Sequence, residues 1–293
     1  MVTGASGPVG HALIPLLARK DEVRVAVRDP ARVGALQALG AKVTLDRLDH
    51  TDDLAEVLGG VFTLVHLVGG PDQPDDDALW DANHGSVLRA IEAARAAGVR
   101  RIVFVSVPGA SPDAAEPFLR AKGLAEEAVT TSGLQHAVIR SAPVVGTGSL
   151  WFAATVAGAL QSPPVVWGAG ERSLAPVALG DLAAALAVAD DIDVDLAGTW
   201  ALVGPDPVTA DELVEMLAGA HEIPSHVDGE AARLMLSSLL EREVSSHLVG
   251  ALTGPGRADA ADAAAFFGLD RTSLVDAIRT ALASATAPQG PGR

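Results

Sequence analysis

Two periodicities alternate along the first half of this chain. Short apolar runs rich in valine have the length and β-branched content of buried strands: "VRVAV" at 23–27, "AKVTL" at 41–45, "FTLVHLV" at 62–68, "RIVFVSV" at 101–107 and "HAVIR" at 136–140. Between them the apolar positions recur at helical spacing over 9–20, 30–39, 52–58, 80–97 and 117–132. Gly40, Gly59, Gly98 and Gly133 stand near the ends of these stretches, where glycine stops a helix. Strands that alternate with helices predict βαβ crossovers, and so an α/β fold with a doubly wound, mostly parallel sheet covered on both faces.

Past residue 148 the rhythm loosens. A helix over 149–160 leads into the break "QSPPVVWGAGERS". Then come "DLAAALAVADD" as helix, "GTWALVG" as strand, "TADELVEMLAGA" as helix, and two further helices near 229–250 and 258–283. The pattern divides the chain into a sheet-forming part over 1–148 and a smaller, mainly helical part over 149–285. Segments near 176–205 are expected to return to the sheet, and 286–293 reads as a disordered tail.

Composition narrows the chemistry. A net charge of −16 over 293 residues argues against nucleic-acid binding, which rests on Lys and Arg neutralising phosphates. With no cysteine there are no disulfides, thiolate metal sites or cysteine nucleophiles. The eight histidines are scattered without ligand spacing, so no metal is expected. Apolar stretches such as "LAAALAVA" fall far below the roughly 20 residues of a membrane span, and no leader precedes Thr3. The expectation is a cytoplasmic protein with a small-molecule substrate and no membrane partner.

The opening, "MVTGASGPVG", carries the first chemical signal. Gly4, Gly7 and Gly10 fall between the first strand and a helix that Pro8 is well placed to begin. Glycines there permit a tight turn, close approach of backbone to a pyrophosphate, and close helix–strand packing. Only Met1, Val2 and Thr3 remain for the strand, where about five residues is usual, so a longer natural start is expected. The second strand ends in "VRDPAR". Arg28 at its tip and Arg32 one turn on can converge on a 2′-phosphate, which predicts NADP(H). NAD(H) is the alternative, since Asp29 could itself reach a ribose hydroxyl.

At this point the chain resembles the atypical, NmrA-like branch of the short-chain dehydrogenase/reductase superfamily. The resemblance runs through "TGASGPVG", "VRDPAR", "LDRLDHTD", "ANHGSVLRAIEAARAAGVRRIVFVS", "AKGLAEEAVTTSGLQHAVIR", "GDLAAALAVA" and "GTWALVGPDPVTADEL", over roughly residues 1–217. It implies a Rossmann-like domain in which Gly4, Ala5, Ser6, Gly7, Pro8 and Val9 form the diphosphate turn. Arg28 and Arg32 would then meet the 2′-phosphate, Asp46 and Arg47 the adenine, and Leu67, Val68 and Gly69 the adenine ribose. Asn83 would hold the active-site end of the sheet. Ser106 and Lys122 would be the catalytic pair, with Lys122 also reaching the nicotinamide ribose, and Arg140 to Val144 would pass the nicotinamide. It further implies a homodimer through the helices 80–97 and 117–132.

The departure is as informative. Ordinary members carry Tyr-x-x-x-Lys; here the stretch reads Phe118-Leu-Arg-Ala-Lys122, and the chain has no tyrosine at all. Phenylalanine has no proton to give. His84 or His136 would be a substitute acid only if its ring reached the nicotinamide. The commoner fate of a lysine such as Lys122 is a solvated i,i+4 pair with Glu126. The acidic "PDQPDDDA" at 71–78 reads as a solvated rim loop or a gate, and Trp151 with Phe152 as core or as a pocket wall. Two functions follow. One is an NAD(P)H-dependent oxidoreductase that reduces a small apolar or aromatic carbonyl, enone or quinone without the usual tyrosine. The alternative is a non-catalytic NADP(H)-sensing protein.

Overall fold

The valine-rich runs do form strands, and the alanine-rich stretches between them form the crossover helices. The computed structural model describes residues 1–45, 51–191, 196–219, 222–255 and 260–286. In chain order its first half runs β1 (Val2–Thr3), α1 (Pro8–Leu17), β2 (Val23–Val27), α2 (Val33–Ala38), β3 (Ala41–Leu45), α3 (Thr51–Val57), β4 (Thr63–His66), α4 (Asp76–Trp80), α5 (Ser86–Ala96), β5 (Arg101–Ser106), α6 (Pro117–Thr130) and β6 (Gln135–Ser141). Local chemistry sets the boundaries. Pro8 opens α1, the Asp75 carboxylate accepts from Ala78 N to cap α4, and Glu116 caps α6 just ahead of Pro117.

From one edge, the parallel sheet is ordered Ala261–Asp262, Ala197–Leu202, β6, β5, β4, β1, β2, β3. The order in which strands are added reverses between β1 and β4, which leaves a crevice outside the carboxyl ends of the strands there. One face buries Leu13, Ile14 and Leu17 of α1 with Leu182 and Leu186; the other buries Val87, Ile91, Ala125 and Val129. Two-faced burial is why the strands read as continuous apolar runs rather than as alternation.

Beyond β6 follow α7 (Leu150–Ala159), α8 (Leu179–Asp191), α9 (Ala210–Ala218), α10 (Gly229–Leu239), α11 (Ser246–Thr253), α12 (Ala263–Phe267) and α13 (Leu274–Thr286). Ala197–Leu202 pairs in parallel with β6, and α8 packs on α1. Three expectations are corrected. The single helix near 258–283 is instead an edge strand, Ala261–Asp262, followed by α12 and α13. That near 229–250 is two helices parted by a turn. The break after α7 contains a strand, Val165–Trp167, paired with Ser225–Val227. Strands of two or three residues carry no period to read. No helix among the described residues is long and apolar enough to cross a membrane.

Candidate cofactor and active site

The glycine turn joins β1 to α1 at the reversal point. Gly4 adopts φ +71°, and a Cβ there would lie 2.6 Å from the Leu67 carbonyl carbon. Gly10 is packed harder, since a Cβ would lie 2.3 Å from the Ala5 oxygen. Gly7 is the N-cap of α1 and provides no side-chain cap, so the Val9 and Gly10 amides have no acceptor within the helix. Free amides at a positive helix end above a side-chain-free cradle suit a diphosphate.

The turn is braced from beneath. Ser86 gives its hydroxyl to the Ala82 carbonyl (2.7 Å), so its oxygen accepts from His66 Nε2 (3.2 Å), and His66 Nδ1 accepts the Thr3 hydroxyl (2.9 Å). Burial, with help from the Lys122 and Arg89 charges, pulls His66 down to about 3, so it stays neutral in this tautomer. The fully buried Asn83, on a π-helical turn (81–85), clasps the loop after β4. Its Oδ1 accepts from Gly70 N (2.8 Å), and its Nδ2 donates to the Gly70 and Leu79 carbonyls (2.9 and 3.0 Å). Gly69, at φ +120°, has no room for a Cβ beside Asn83. Asn83→Ala strands these groups, and a loss of about 2 kcal/mol with weakened cofactor binding is expected from thermal melts and cofactor titration.

Ser106 ends β5 fully buried, its hydroxyl without a partner among the described residues. Lys122 reaches the same place from α6: its Nζ donates to the Val105 carbonyl at 3.0 Å and lies 4.7 Å from the centre of the Phe104 ring. The solvated pair with Glu126 does not form. Glu126 is bound instead by Arg140 through Nε–Oε1 (2.9 Å) and Nη2–Oε2 (2.6 Å). Lys122 is only 6% exposed, and burial lowers its ammonium from 10.5 to about 8 against the opposing pull of Glu126. Phe118, one turn earlier, is buried as well. The structure therefore brings Ser106, Lys122 and Arg140 together at the carboxyl end of the sheet.

Other expected site residues are placed unevenly. Arg28 is exposed and has no hydrogen bond or ion pair among the described residues. Asp29 caps the turn at Ala31 (2.9 Å), and Arg32 leans toward it, Nε to Oδ2 at 3.6 Å, rather than standing free beside Arg28. Asp46 and Arg47 lie outside the described residues. His136 is the second residue of β6, at the end of the sheet opposite Ser141, which removes it as a substitute acid. His84 packs edge-on against Trp80. Phe152 is core, and Trp151 is half-buried.

The acidic loop is not simply solvated. Asp72 pairs with Arg242 (2.6 Å) and accepts from Ser245 N (3.1 Å), the Ser245 hydroxyl donates to the Pro71 carbonyl (3.2 Å), and His247 meets Asp76 at 2.9 Å. The loop is thus strapped to the α10–α11 corner, and a cavity of about 800 Å³ lies at this seam. No motif could announce contacts between residues so far apart in sequence. Among the described residues no cluster of acidic or histidine side chains could hold a metal.

A family model described as NAD(P)H-binding matches residues 4–146. The chain is 31% identical over 225 residues to a (4-alkanoyl-5-oxo-2,5-dihydrofuran-3-yl)methyl phosphate reductase of Streptomyces griseus, covering 74% of this chain and 72% of that one. It is 30% identical over 229 residues to the mitochondrial NADH dehydrogenase [ubiquinone] 1 alpha subcomplex subunit 9 of Arabidopsis thaliana, of which it spans only 56%. In structure it resembles the triphenylmethane reductase of Citrobacter sp. (TM-score 0.74, 24% identity, 96% and 98% of the two chains). It also resembles the NADPH-dependent quinone oxidoreductase QOR2 of Escherichia coli (0.73, 22%, 95% and 98%). The fold and the matched model define an NAD(P)H-binding protein of Rossmann type. The chain belongs to the atypical short-chain dehydrogenase/reductase family, in its NmrA-like NAD(P)H-binding branch.

Proposed function

We propose that this chain reduces a small apolar or aromatic carbonyl, enone or quinone with NADPH, and that Lys122 replaces the missing tyrosine as the proton source. The observation that carries the reading is the buried Lys122 ammonium, held by the Val105 carbonyl (3.0 Å) at the strand end that carries Ser106. Bound NADPH supplies the hydride. The glycine turn, with its free amides and its space for no side chain, suits the diphosphate, and the unpaired Arg28 suits a 2′-phosphate. Reduction leaves the substrate oxygen in need of a proton. Lys122 gives one, becomes a neutral amine and is reprotonated from solvent, so ketone, hydride and proton together make the alcohol. Relatives named as reductases of a furanone phosphate and of a quinoline oxide support this substrate class.

The sensing alternative is favoured by one observation: Phe118 is buried where the family tyrosine would present its hydroxyl. Calorimetric titration with NADPH and NADH, followed by NADPH absorbance with quinones, enones and aromatic ketones, separates the two. Lysine-dependent oxidation supports the reductase; tight binding without oxidation by the panel supports the sensor. Arg28→Ala is expected to weaken NADPH roughly 10- to 100-fold, the worth of one or two charge-assisted bonds, and NADH little. Equal losses for both would remove the preference for NADP(H).

A further inference from the structure

Arg172 lies in the loop between the strands Val165–Trp167 and Ser173–Leu174. No carboxylate among the described residues pairs with it. Among the described residues its buried Nε has no partner, and Nη1 reaches the Trp167 carbonyl at 3.5 Å, the limit of a hydrogen bond. The neighbouring acid is engaged elsewhere: the Asp211 amide bonds Gly170 of the same loop, while its carboxylate faces His226 at 2.8 Å. Trp151, Thr155, Trp167 and Leu252 line a cavity of about 10 Å³ beside the guanidinium, too small for more than a water. Burial disfavours the charge, yet the loop keeps an arginine.

The loop is linked to the segment after Ser106 through the end of α11. A Cβ on Gly168 would strike Thr253 of α11 at 2.7 Å, and one on Gly109, three residues past Ser106, would strike Pro255 at 2.8 Å. The end of α11 thus bridges the two loops. Trp151 follows Ser149, whose hydroxyl donates to the Val144 carbonyl (2.7 Å) at the end of the stretch expected to pass the nicotinamide. A planar, half-buried guanidinium that meets no acid among the described residues is suited to a carboxylate or phosphate reaching its open side.

We propose that Arg172 anchors an anionic group of the substrate, a carboxylate or a phosphate monoester, at the end remote from the reducible bond. The word substrate rests on the reductase reading; the anion site itself does not. The test is made on the chain saturated with NADPH, titrated with inorganic phosphate and with benzoate, for wild type, Arg172→Gln and Arg172→Lys. The expected result is that the wild type binds at least one probe, that the Gln variant binds about tenfold or more weakly, and that the Lys variant retains part. NADPH affinity stays unchanged across all three, and without anion the Gln variant melts no lower than wild type.

Absent or Arg172-independent binding of both probes overturns the proposal. So does lost NADPH affinity in the Gln variant, which would assign the site to a cofactor phosphate, or a lowered melting temperature, which would make Arg172 structural. In turnover, an aromatic enone is compared with its para-carboxylate. The carboxylate's advantage in kcat/KM should fall about tenfold in the Gln variant, and an unchanged advantage counts against the proposal. If neither enone turns over while anion binding still depends on Arg172, the reductase reading falls and the anion site stands.

Discussion

Lys122→Met is expected to lower kcat for carbonyl reduction by about 10²- to 10⁴-fold, the usual worth of a positioned acid, with NADPH affinity changed far less. The wild-type profile of kcat/KM against pH should fall above about pH 8, because the donor must carry its proton and Lys122 loses it there. Lys122→Arg, which keeps the charge but does not titrate in this range, should lose that limb. Stability moves the other way. A lysine whose folded pKa lies below its unfolded one favours the neutral form, so the fold bears the cost of the charge below about pH 8 and gains stability as pH rises toward 10.5. The interval is worth about 3 kcal/mol, so Lys122→Met should resist urea at pH 7 at least as well as wild type. An active, pH-insensitive Met variant would take Lys122 out of the chemistry.

Gly10→Ala is expected to cost more than about 3 kcal/mol and to abolish cofactor binding, although alanine is the better helix former. The added methyl would stand 2.3 Å from the Ala5 oxygen and 2.5 Å from its Cα. Both neighbours are backbone, so no rotamer relieves the clash, and α1 must lift away from the turn. Gly7→Ala is the control. Its φ of −79° is ordinary, and a Cβ there meets only the Gly4 oxygen at 3.6 Å. That variant should fold and melt near wild type. Denaturation curves of the two variants decide the matter, and equal losses would contradict the close approach at Gly10.

The two glycines show where sequence reading stops. The chain presents Gly4, Gly7 and Gly10 as one spaced set, which is enough to place a turn between strand and helix. Only packing separates Gly10, pressed on the backbone of Ala5, from Gly7, where a Cβ would make one ordinary contact. Lys122 and Phe118 were legible as a departure from a family pattern, but the sequence left Lys122 free to be a solvated partner of Glu126. The fold decides otherwise: Arg140, on the neighbouring strand, takes Glu126, and Phe104 and Val105 take the lysine. The braces Thr3–His66–Ser86 and Asp72–Arg242 join positions with no local pattern between them.

By itself the sequence determined the alternation of strands and helices, the glycine turn at the first crossover and the absence of a tyrosine. These are local properties: periodicity, turn chemistry and residue identity travel with the chain. Tertiary structure alone decided that Lys122 is buried and lowered to about 8, that Asn83 clasps Gly70, and that Arg172 meets no acid among the described residues. Burial, pairing and proton affinity depend on which elements the sheet order brings together, and those elements lie far apart in sequence.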